Sequence, residues 1–537
     1  MSQLKHVKAI QNGDFSGLPV SAGSTAVNLT GSWKFFRPHS VIKDSPCRQA
    51  CPLQIPIAGY LDKLEKGKVS EALKLLRDYN PMPAVTGRVC PHFCQNACNR
   101  QEFDEAVLIG DLERYLGDLG LEDRHPKCTN QRSEKIAVIG AGPAGLSAAV
   151  FLARQGLQVS IFERTPAAGG LLRYGIPAYR LPRNILDREI ENLLASYNIE
   201  LHCNREIEPT QMAQLKKDYH EVIWAPGLQN SSLPDAWCST LRVKGALELL
   251  AAINRGEDIA GQSFIVVGGG NAALDVARSL KRLGKQVEII YRRTIAEMPA
   301  YAEEKKQALD EGLLIHEQEV VEKIESKENI LQLNIHQAHN HEAQISAGNF
   351  LRTFAADYLI AAIGQESNLS FDTSETIIKA GDFDHGAASV AEALASGRRA
   401  AESILEKLEI NSAINLNNNS ENPIVVENRH LHLDYFTKKP AINVPELKSS
   451  VRKDNFSEIR QSLNLTQIQS EIERCFHCGS CTACGICWFF CPDVAIVIDR
   501  EEDDPAKRVL FDYDHCKGCG QCAAICPRGV IEMEEDN

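Results

Sequence analysis

Near its carboxyl end the chain reads Cys481-x2-Cys484-x2-Cys487-x3-Cys491-Pro492, and soon afterwards Cys516-x2-Cys519-x2-Cys522-x3-Cys526-Pro527. A segment with eight thiols this closely spaced must fold as short loops around metal. Tandem runs of this form hold two [4Fe–4S] clusters, the fourth cysteine of each run crossing to the other cluster. Cys526 is therefore expected beside Cys481, Cys484 and Cys487, and Cys491 beside Cys516, Cys519 and Cys522. Zinc also takes CxxC pairs. It explains neither the third equally spaced cysteine nor the proline after the fourth. The expected chemistry is one-electron transfer.

The full length of 537 residues allows three or four domains with real cores. Hydrophobic content of 44% and charged content of 24% are ordinary for a soluble globular protein. The net charge of −13, with acidic runs at Glu501–Asp504 and Glu532–Asp536, argues against a nucleic-acid or anionic-membrane surface. It suits docking to a basic patch on a partner, or simply a solvated acidic surface. No apolar run approaches the roughly 18 residues of a membrane span, and Met1-Ser-Gln-Leu-Lys lacks a signal-peptide core. Eighteen cysteines without an export signal point to metal ligation in a reducing compartment, hence the cytoplasm.

Mid-chain, an apolar strand at Lys135–Ile139 runs into Gly140-x-Gly142-Pro143-Ala144-Gly145, and a second strand ends at Glu163-Arg164. The glycines give a tight turn, backbone approach to a pyrophosphate and close helix packing. Glu163 is placed to accept from a ribose hydroxyl. The pattern returns at Gly268-Gly-Gly270-Asn271-Ala272, but its second strand ends in Arg292-Arg293. Guanidinium groups there suit the 2′-phosphate of NADPH, with NADH the alternative if the pair is incidental. Asp218–Gly227 and Asp357–Gly364 read as strands joining two nucleotide domains, and Gly381-Asp382 precedes an expected helix containing Ala388, Ser389 and Arg399. No cysteine lies between Cys238 and Cys475, so the second nucleotide domain has no redox-active CxxC. Cys128, Cys203 and Cys238 have no partner spacing and read as structural.

Gly169-Gly170-Leu171-Leu-Arg-Tyr-Gly-Ile-Pro-Ala-Tyr-Arg180-Leu-Pro182 and Tyr291-Arg-Arg-Thr-Ile-Ala-Glu-Met-Pro299 resemble signatures of the glutamate synthase small-subunit family. That family is related to the N-terminal half of dihydropyrimidine dehydrogenase and to the large subunit of NADH-dependent ferredoxin:NADP oxidoreductase. The C-terminal cysteine runs resemble an appended bacterial ferredoxin module. The resemblance implies FAD at Gly140, Gly142, Pro143, Ala144, Gly145, Glu163, Arg164, Gly170, Leu171, Arg180, Gly227, Gly381, Asp382, Ala388 and Ser389. It implies NADPH at Gly268, Gly270, Asn271, Ala272, Arg292, Arg293 and Gly364. The fold class is then α/β, with a helical iron–sulfur domain ahead of two Rossmann-like domains and an α+β ferredoxin domain behind them.

The family's helical iron–sulfur domain is only partly matched. Cys47-x3-Cys51-Pro and Cys90-x3-Cys94-x3-Cys98 are present, with the helical periodicity of Ile57–Tyr79 between them, offering Leu61, Leu64, Val69, Leu73 and Leu76 to a core. The expected Arg-Cys-x-x-Cys-Gly before Cys47 is missing. Five cysteines cannot complete two clusters, so one cluster is absent or its ligands come from elsewhere. Arg474-Cys475-Phe-His-Cys478-Gly479 has the missing form. The sharper expectation is that Cys475 and Cys478 join Cys47 and Cys98, while Cys51, Cys90 and Cys94 take a fourth, non-cysteine ligand. By analogy with a glutamine ligand in dihydropyrimidine dehydrogenase, that ligand would be Glu113. Fifteen cysteines and Glu113 then supply the sixteen ligands of four clusters. The plainer alternatives are a loose ferredoxin extension for Cys475 and Cys478, and a Glu113 carboxylate paired with Arg114 or another cation.

The expected division is an extension at 1–32, the helical cluster domain at 33–130, FAD domain at 131–245 and 363–408, NADPH domain at 246–362, a linker and return segment at 409–470, and ferredoxin domain at 471–537. The expected function is an NAD(P)H:acceptor oxidoreductase, free-standing or the reductase subunit of a complex such as glutamate synthase or a sulfite-reductase-linked system. A non-catalytic electron relay is the alternative of another class. Hydride transfer between cofactors demands no catalytic acid or base. The partner would be a ferredoxin-like or catalytic-subunit redox protein, and a homodimer could also use the extra CxxC.

Overall fold

A computed structural model describes residues 35–122, 132–228, 230–238, 240–327, 330–341, 344–367, 377–410 and 424–535. The N-terminal 1–30 segment, the low-complexity residues 411–423 and Cys128 lie outside the described residues.

The first sheet has five parallel strands, in the order Ile378–Lys379, Glu221–Trp224, Lys135–Ile139, Gln158–Phe162, Glu200–His202. Strands covered on both faces read as unbroken apolar runs, which accounts for the wholly buried Ile136–Ile139. Helix Val390–Lys407 lies on helix Pro143–Arg154 so closely that a Cβ on Gly397 would stand 2.0 Å from the Ala144 carbonyl oxygen.

The second sheet is also parallel, in the order Leu314–Glu317, Gln286–Tyr291, Ser263–Val267, Tyr358–Ala361, Val243–Gly245. Val243–Gly245 pairs with Tyr358–Ala361, so the second sheet takes in three residues placed above in the first domain. An antiparallel meander, Glu319–Lys327, Ile330–His341 and Gln344–Ala356, precedes Tyr358. Its alternating Leu331, Leu333 and Ile335 are buried beside Ile265, Ile290 and Leu359. The first sheet resumes only at Ile378, so its domain is interrupted by the second.

The stretch Ile57–Tyr79 forms two helices, Ile57–Glu65 and Val69–Tyr79, because Gly67 turns the chain at φ +73°. Leu61, Leu64, Leu73 and Leu76 are buried and Val69 is half-buried. Helices Pro83–Val89 and Ile109–Gly120 touch backbone to backbone. A Cβ on Gly87 would lie 2.5 Å from the Arg114 nitrogen, and one on Gly117 would lie 2.3 Å from the Ala84 nitrogen. Glycine at both positions brings residue 113 against residue 86.

Residues 424–474 run back along this helical domain with little regular structure, held by polar bonds. Asn99 Nδ2 donates to the Val426 carbonyl at 2.7 Å, Lys439 N to Asp104 at 3.0 Å and Leu108 N to Glu471 at 2.9 Å. Arg460 pairs with Asp111 and, on the second nucleotide domain, with Glu303, each at 2.6 Å. The wholly buried Arg474 donates to the carbonyls of Ala106 and Glu105. The return segment thereby delivers Cys475 to the helical domain.

In the carboxyl-terminal module, strands Ile496–Ile498 and Val509–Phe511 pair antiparallel, with helices Ile486–Phe489 and Gln521–Ile525 beside them. Its last strand, Ile531–Glu535, pairs antiparallel with Phe36–Ser40 from the other end of the chain. The buried Arg508–Asp62 pair at 2.7 Å makes a second tie.

Candidate cofactor sites

Cysteines ring three cavities. The first is lined by Cys47, Cys98, Cys475 and Cys478, with Ala58, Leu61 and Ile109 among its apolar walls. The second is lined by Cys481, Cys484, Cys487 and Cys526, the third by Cys491, Cys516, Cys519 and Cys522. Each fourth ferredoxin cysteine therefore faces the opposite run. Among the described residues no three His, Cys, Asp or Glu side chains are placed to share a single ion. The thiols instead stand around cavity walls, which suits a polynuclear cluster.

One local turn builds all three cavities. The residue before the second cysteine is left-handed in the CxxC turns 475–478, 481–484 and 516–519: His477 (φ 51°), Ala483 (φ 55°) and Gly518 (φ 69°). The glycine after it is left-handed too, at 479, 485 and 520. The N–H groups of His477, Ala483 and Gly518 donate to Cys475, Cys481 and Cys516 Sγ, each at 3.4 Å. Donors aimed at sulfur favour the thiolate, whereas burial pushes the thiols of Cys478, Cys487 and Cys522 up to about 12. Such thiols would give up their protons on binding metal.

Cys51, Cys90 and Cys94 form a fourth group around Glu113. Burial raises each thiol, and Glu113 raises it further. Glu113 Oε1 accepts from Asn80 Nδ2 at 3.0 Å and from the Thr86 hydroxyl, and burial pushes its carboxyl up to about 7. Arg114, the alternative partner, turns away to Glu458 at 3.1 Å and to the Arg460 carbonyl at 2.8 Å. Both donors fall on Oε1, which leaves the carboxylate, with three thiol neighbours, able to act as a fourth ligand.

A cavity of about 440 Å³ lies over the first sheet, lined by Gly140, Gly142, Pro143, Ala144, Glu163, Arg164, Gly170, Leu171, Gly227, Gly381 and Asp382. Gly140 (φ +104°) is required by the fold, since a Cβ there would lie 2.3 Å from the Ala225 carbonyl oxygen. Gly142 has open space where its Cβ would stand, so its backbone is free to meet a ligand. Glu163 accepts from Ala141 N at 2.8 Å and Thr165 Oγ1 at 2.7 Å, which fixes its carboxylate at the strand end. Asp382 Oδ1 is buried without a hydrogen-bond partner among the described residues, and burial raises its carboxyl to about 6. An unpaired acceptor on this wall fits the hydroxyl-bearing chain of FAD.

Four expected FAD residues stand elsewhere. Gly145 packs the helix, its Cβ position 2.0 Å from the Gly140 oxygen. Ser389 caps helix Val390–Lys407, accepting from Glu392 N at 3.3 Å, and neighbouring Ala388 bonds Asp382 through its backbone. Arg180 is committed to Asp275 at 2.6 Å and Glu304 at 2.8 Å, two carboxylates of the second nucleotide domain. It joins the domains rather than lining the cavity. Thr165, Tyr174, Glu248 and Arg255 line the cavity without having been anticipated. Glu248 and Arg255 come from the inserted domain, which motif spacing cannot reveal.

At the second nucleotide turn a Cβ on Gly268 would lie 2.2 Å from the Ala362 oxygen, while Gly270 faces open space. Gly270 caps the twelve-residue helix Asn271–Arg282, which contains Ala272, and Asn271 Oδ1 accepts from Tyr301 N at 3.0 Å. The Gly364 carbonyl accepts from Ser232 N at 3.0 Å. Arg292 is exposed and Arg293 half-exposed just past strand Gln286–Tyr291. Among the described residues Arg292 has no side-chain bond or ion pair, which leaves it available to a phosphate.

The sites adjoin one another. Glu392 lies within electrostatic reach of both Asp382 and Cys90. Cys47 and Cys51, like Cys94 and Cys98, are four residues apart, and only Gly479 and Ser480 separate Cys478 from Cys481.

Three family profiles match the chain: pyridine nucleotide-disulphide oxidoreductase over residues 134–383, dihydropyrimidine dehydrogenase domain II, 4Fe-4S cluster, over 40–125, and 4Fe-4S dicluster domain over 480–530. The NADP(+)-dependent formate dehydrogenase subunit beta of Moorella thermoacetica is 31% identical, over 87% of this chain and 74% of its own length. The NAD-dependent dihydropyrimidine dehydrogenase subunit PreT of Escherichia coli O157:H7 is 33% identical, over 68% of this chain and 92% of its own. The NADPH-Fe(3+) oxidoreductase subunit beta of Geobacter sulfurreducens is 32% identical, over 64% of this chain and 54% of its own. The chain belongs to this family of FAD-dependent iron–sulfur NAD(P)H oxidoreductases, related to dihydropyrimidine dehydrogenase and carrying a carboxyl-terminal 2[4Fe–4S] ferredoxin domain.

Proposed function

We propose that the chain takes electron pairs from NADPH and delivers them singly to a partner redox protein through four cluster sites. When bound, FAD accepts hydride and the clusters accept single electrons; the protein's part is to hold and order them. Gly140, Gly142, Glu163, Gly381 and Asp382 would hold FAD, and Gly270 with Arg292 and Arg293 would hold NADPH. Cys51, Cys90, Cys94 and Glu113 would hold the site nearest the FAD cavity, since Glu392 is within electrostatic reach of both Cys90 and Asp382. Cys47, Cys98, Cys475 and Cys478 would hold the next, with the two ferredoxin sites beyond.

The observation that carries this reading is the cavity shared by Cys47, Cys98, Cys475 and Cys478. It brings cysteines of the helical domain and cysteines from just ahead of the ferredoxin module around one space. Relatives named as subunits favour a reductase component of a larger complex over a free-standing enzyme. Cluster potentials span roughly −700 to +450 mV, so flow from reduced ferredoxin to NADP is equally allowed by the architecture. In an anaerobic stopped-flow experiment NADPH should bleach the flavin band, with cluster reduction following. A flavin that stays oxidised while dithionite reduces the clusters would return the protein to a passive relay. Native pull-down distinguishes a partner subunit from a homodimer.

A further inference from the structure

Tyr60 is completely buried, and its hydroxyl has no hydrogen-bond partner among the described residues. An unmade bond of this kind is costly, so a hydroxyl kept in such a place calls for an acceptor. Its surroundings supply one carboxylate and several thiols. Glu113, Cys94, Cys47 and Cys475 are all within electrostatic reach of the phenol oxygen, Glu113 and Cys94 most strongly. The helix that carries it, Ile57–Glu65, also gives Ile57, Ala58 and Leu61 to the wall of the Cys47/Cys98/Cys475/Cys478 cavity. Tyr60 thus stands in the partition between the two sites of the helical domain. Glu113 is already supplied with donors by Asn80 and Thr86.

We propose that Tyr60 is a tuning residue, whose hydroxyl donates a hydrogen bond to a sulfur of the cluster held by Cys51, Cys90, Cys94 and Glu113. The inference rests on the four-site reading above. A donor to cluster sulfur stabilises the more negative, reduced state, so it raises the reduction potential. The cluster nearest the flavin would thereby be the easier of the pair to reduce, and its electron would be held before passing to the shared site.

The test is Tyr60→Phe in the full-length, cofactor-loaded protein, which removes one oxygen and keeps the ring. Iron content and the flavin spectrum should match wild type. In an EPR-monitored redox titration one cluster's midpoint should move to more negative potential while the ferredoxin midpoints stay fixed. Pulsed ENDOR after exchange into deuterated water should show a hydroxyl deuteron coupled to that cluster in wild type and missing in the variant. Superimposable midpoints and deuteron couplings, with iron for four clusters in both proteins, would overturn the tuning role alone. Iron for only two clusters in wild type would overturn the four-site reading and the tuning role with it.

Discussion

The ferredoxin sites and the sites of the helical domain use similar turns but differ in where their ligands come from. In the module, every cysteine lining the two cavities lies between Cys481 and Cys526, and each cavity is closed by a cysteine from the neighbouring run. The first cavity of the helical domain draws Cys47 and Cys98 from one end of the chain and Cys475 and Cys478 from the other. The Cys475-x-x-Cys478-Gly turn matches Cys481-x-x-Cys484-Gly in its left-handed residues and its N–H to sulfur bond. A turn therefore prepares a pair of thiols without deciding which cluster they serve. That decision falls to the return segment, through Arg474, Glu471 and Arg460.

The largest effect that would break this comparison belongs to Cys475→Ser combined with Cys478→Ser. NADPH should still reduce the flavin, but freeze-quench EPR should show reduction of the ferredoxin clusters slowed by orders of magnitude. Unimpaired reduction would mean that the two cysteines only decorate the module. Glu113→Ala comes next. It should cost one cluster and remove the acceptor that Asn80 and Thr86 share, destabilising the fold by about 1–3 kcal/mol in denaturant titration. Glu113→Gln should keep those acceptor contacts and most of that stability. Cys519→Ser sharpens the contrast from the local side: only the terminal cluster should be lost, with NADPH-driven reduction of the helical-domain clusters at the wild-type rate. The smallest effect is purely structural. Gly117→Ala puts a methyl against the Ala84 backbone and should lower stability by about 1–3 kcal/mol, read as a lower Tm at unchanged iron content.

Much of this was legible because the chemistry fixes spacing. Four thiols around a cluster, or a glycine turn under a pyrophosphate, impose short-range patterns, and the cavities gather Cys526 with Cys481 and Asp382 with Gly140. Long-range pairing leaves no such imprint. Cys475 and Cys478 could be matched to Cys47 and Cys98 only because a family pattern had a gap of the same shape. Nothing in the spacing announced that Phe36–Ser40 would pair with Ile531–Glu535. The partners of Arg180 were hidden for a related reason: its motif sits beside the FAD loop, but the side chain finds Asp275 and Glu304 across a domain boundary. The meander at residues 319–356 does carry an alternating pattern, Leu331, Leu333, Ile335, that a period-two reading would have found.

The shared cavity is the claim on which the electron path turns, and Mössbauer spectroscopy of iron-57-enriched protein tests it most directly. In wild type the account predicts four [4Fe–4S] clusters, and in the Cys475→Ser/Cys478→Ser variant three, with both ferredoxin clusters retained. Four clusters in the variant, or two in the wild type, would contradict it.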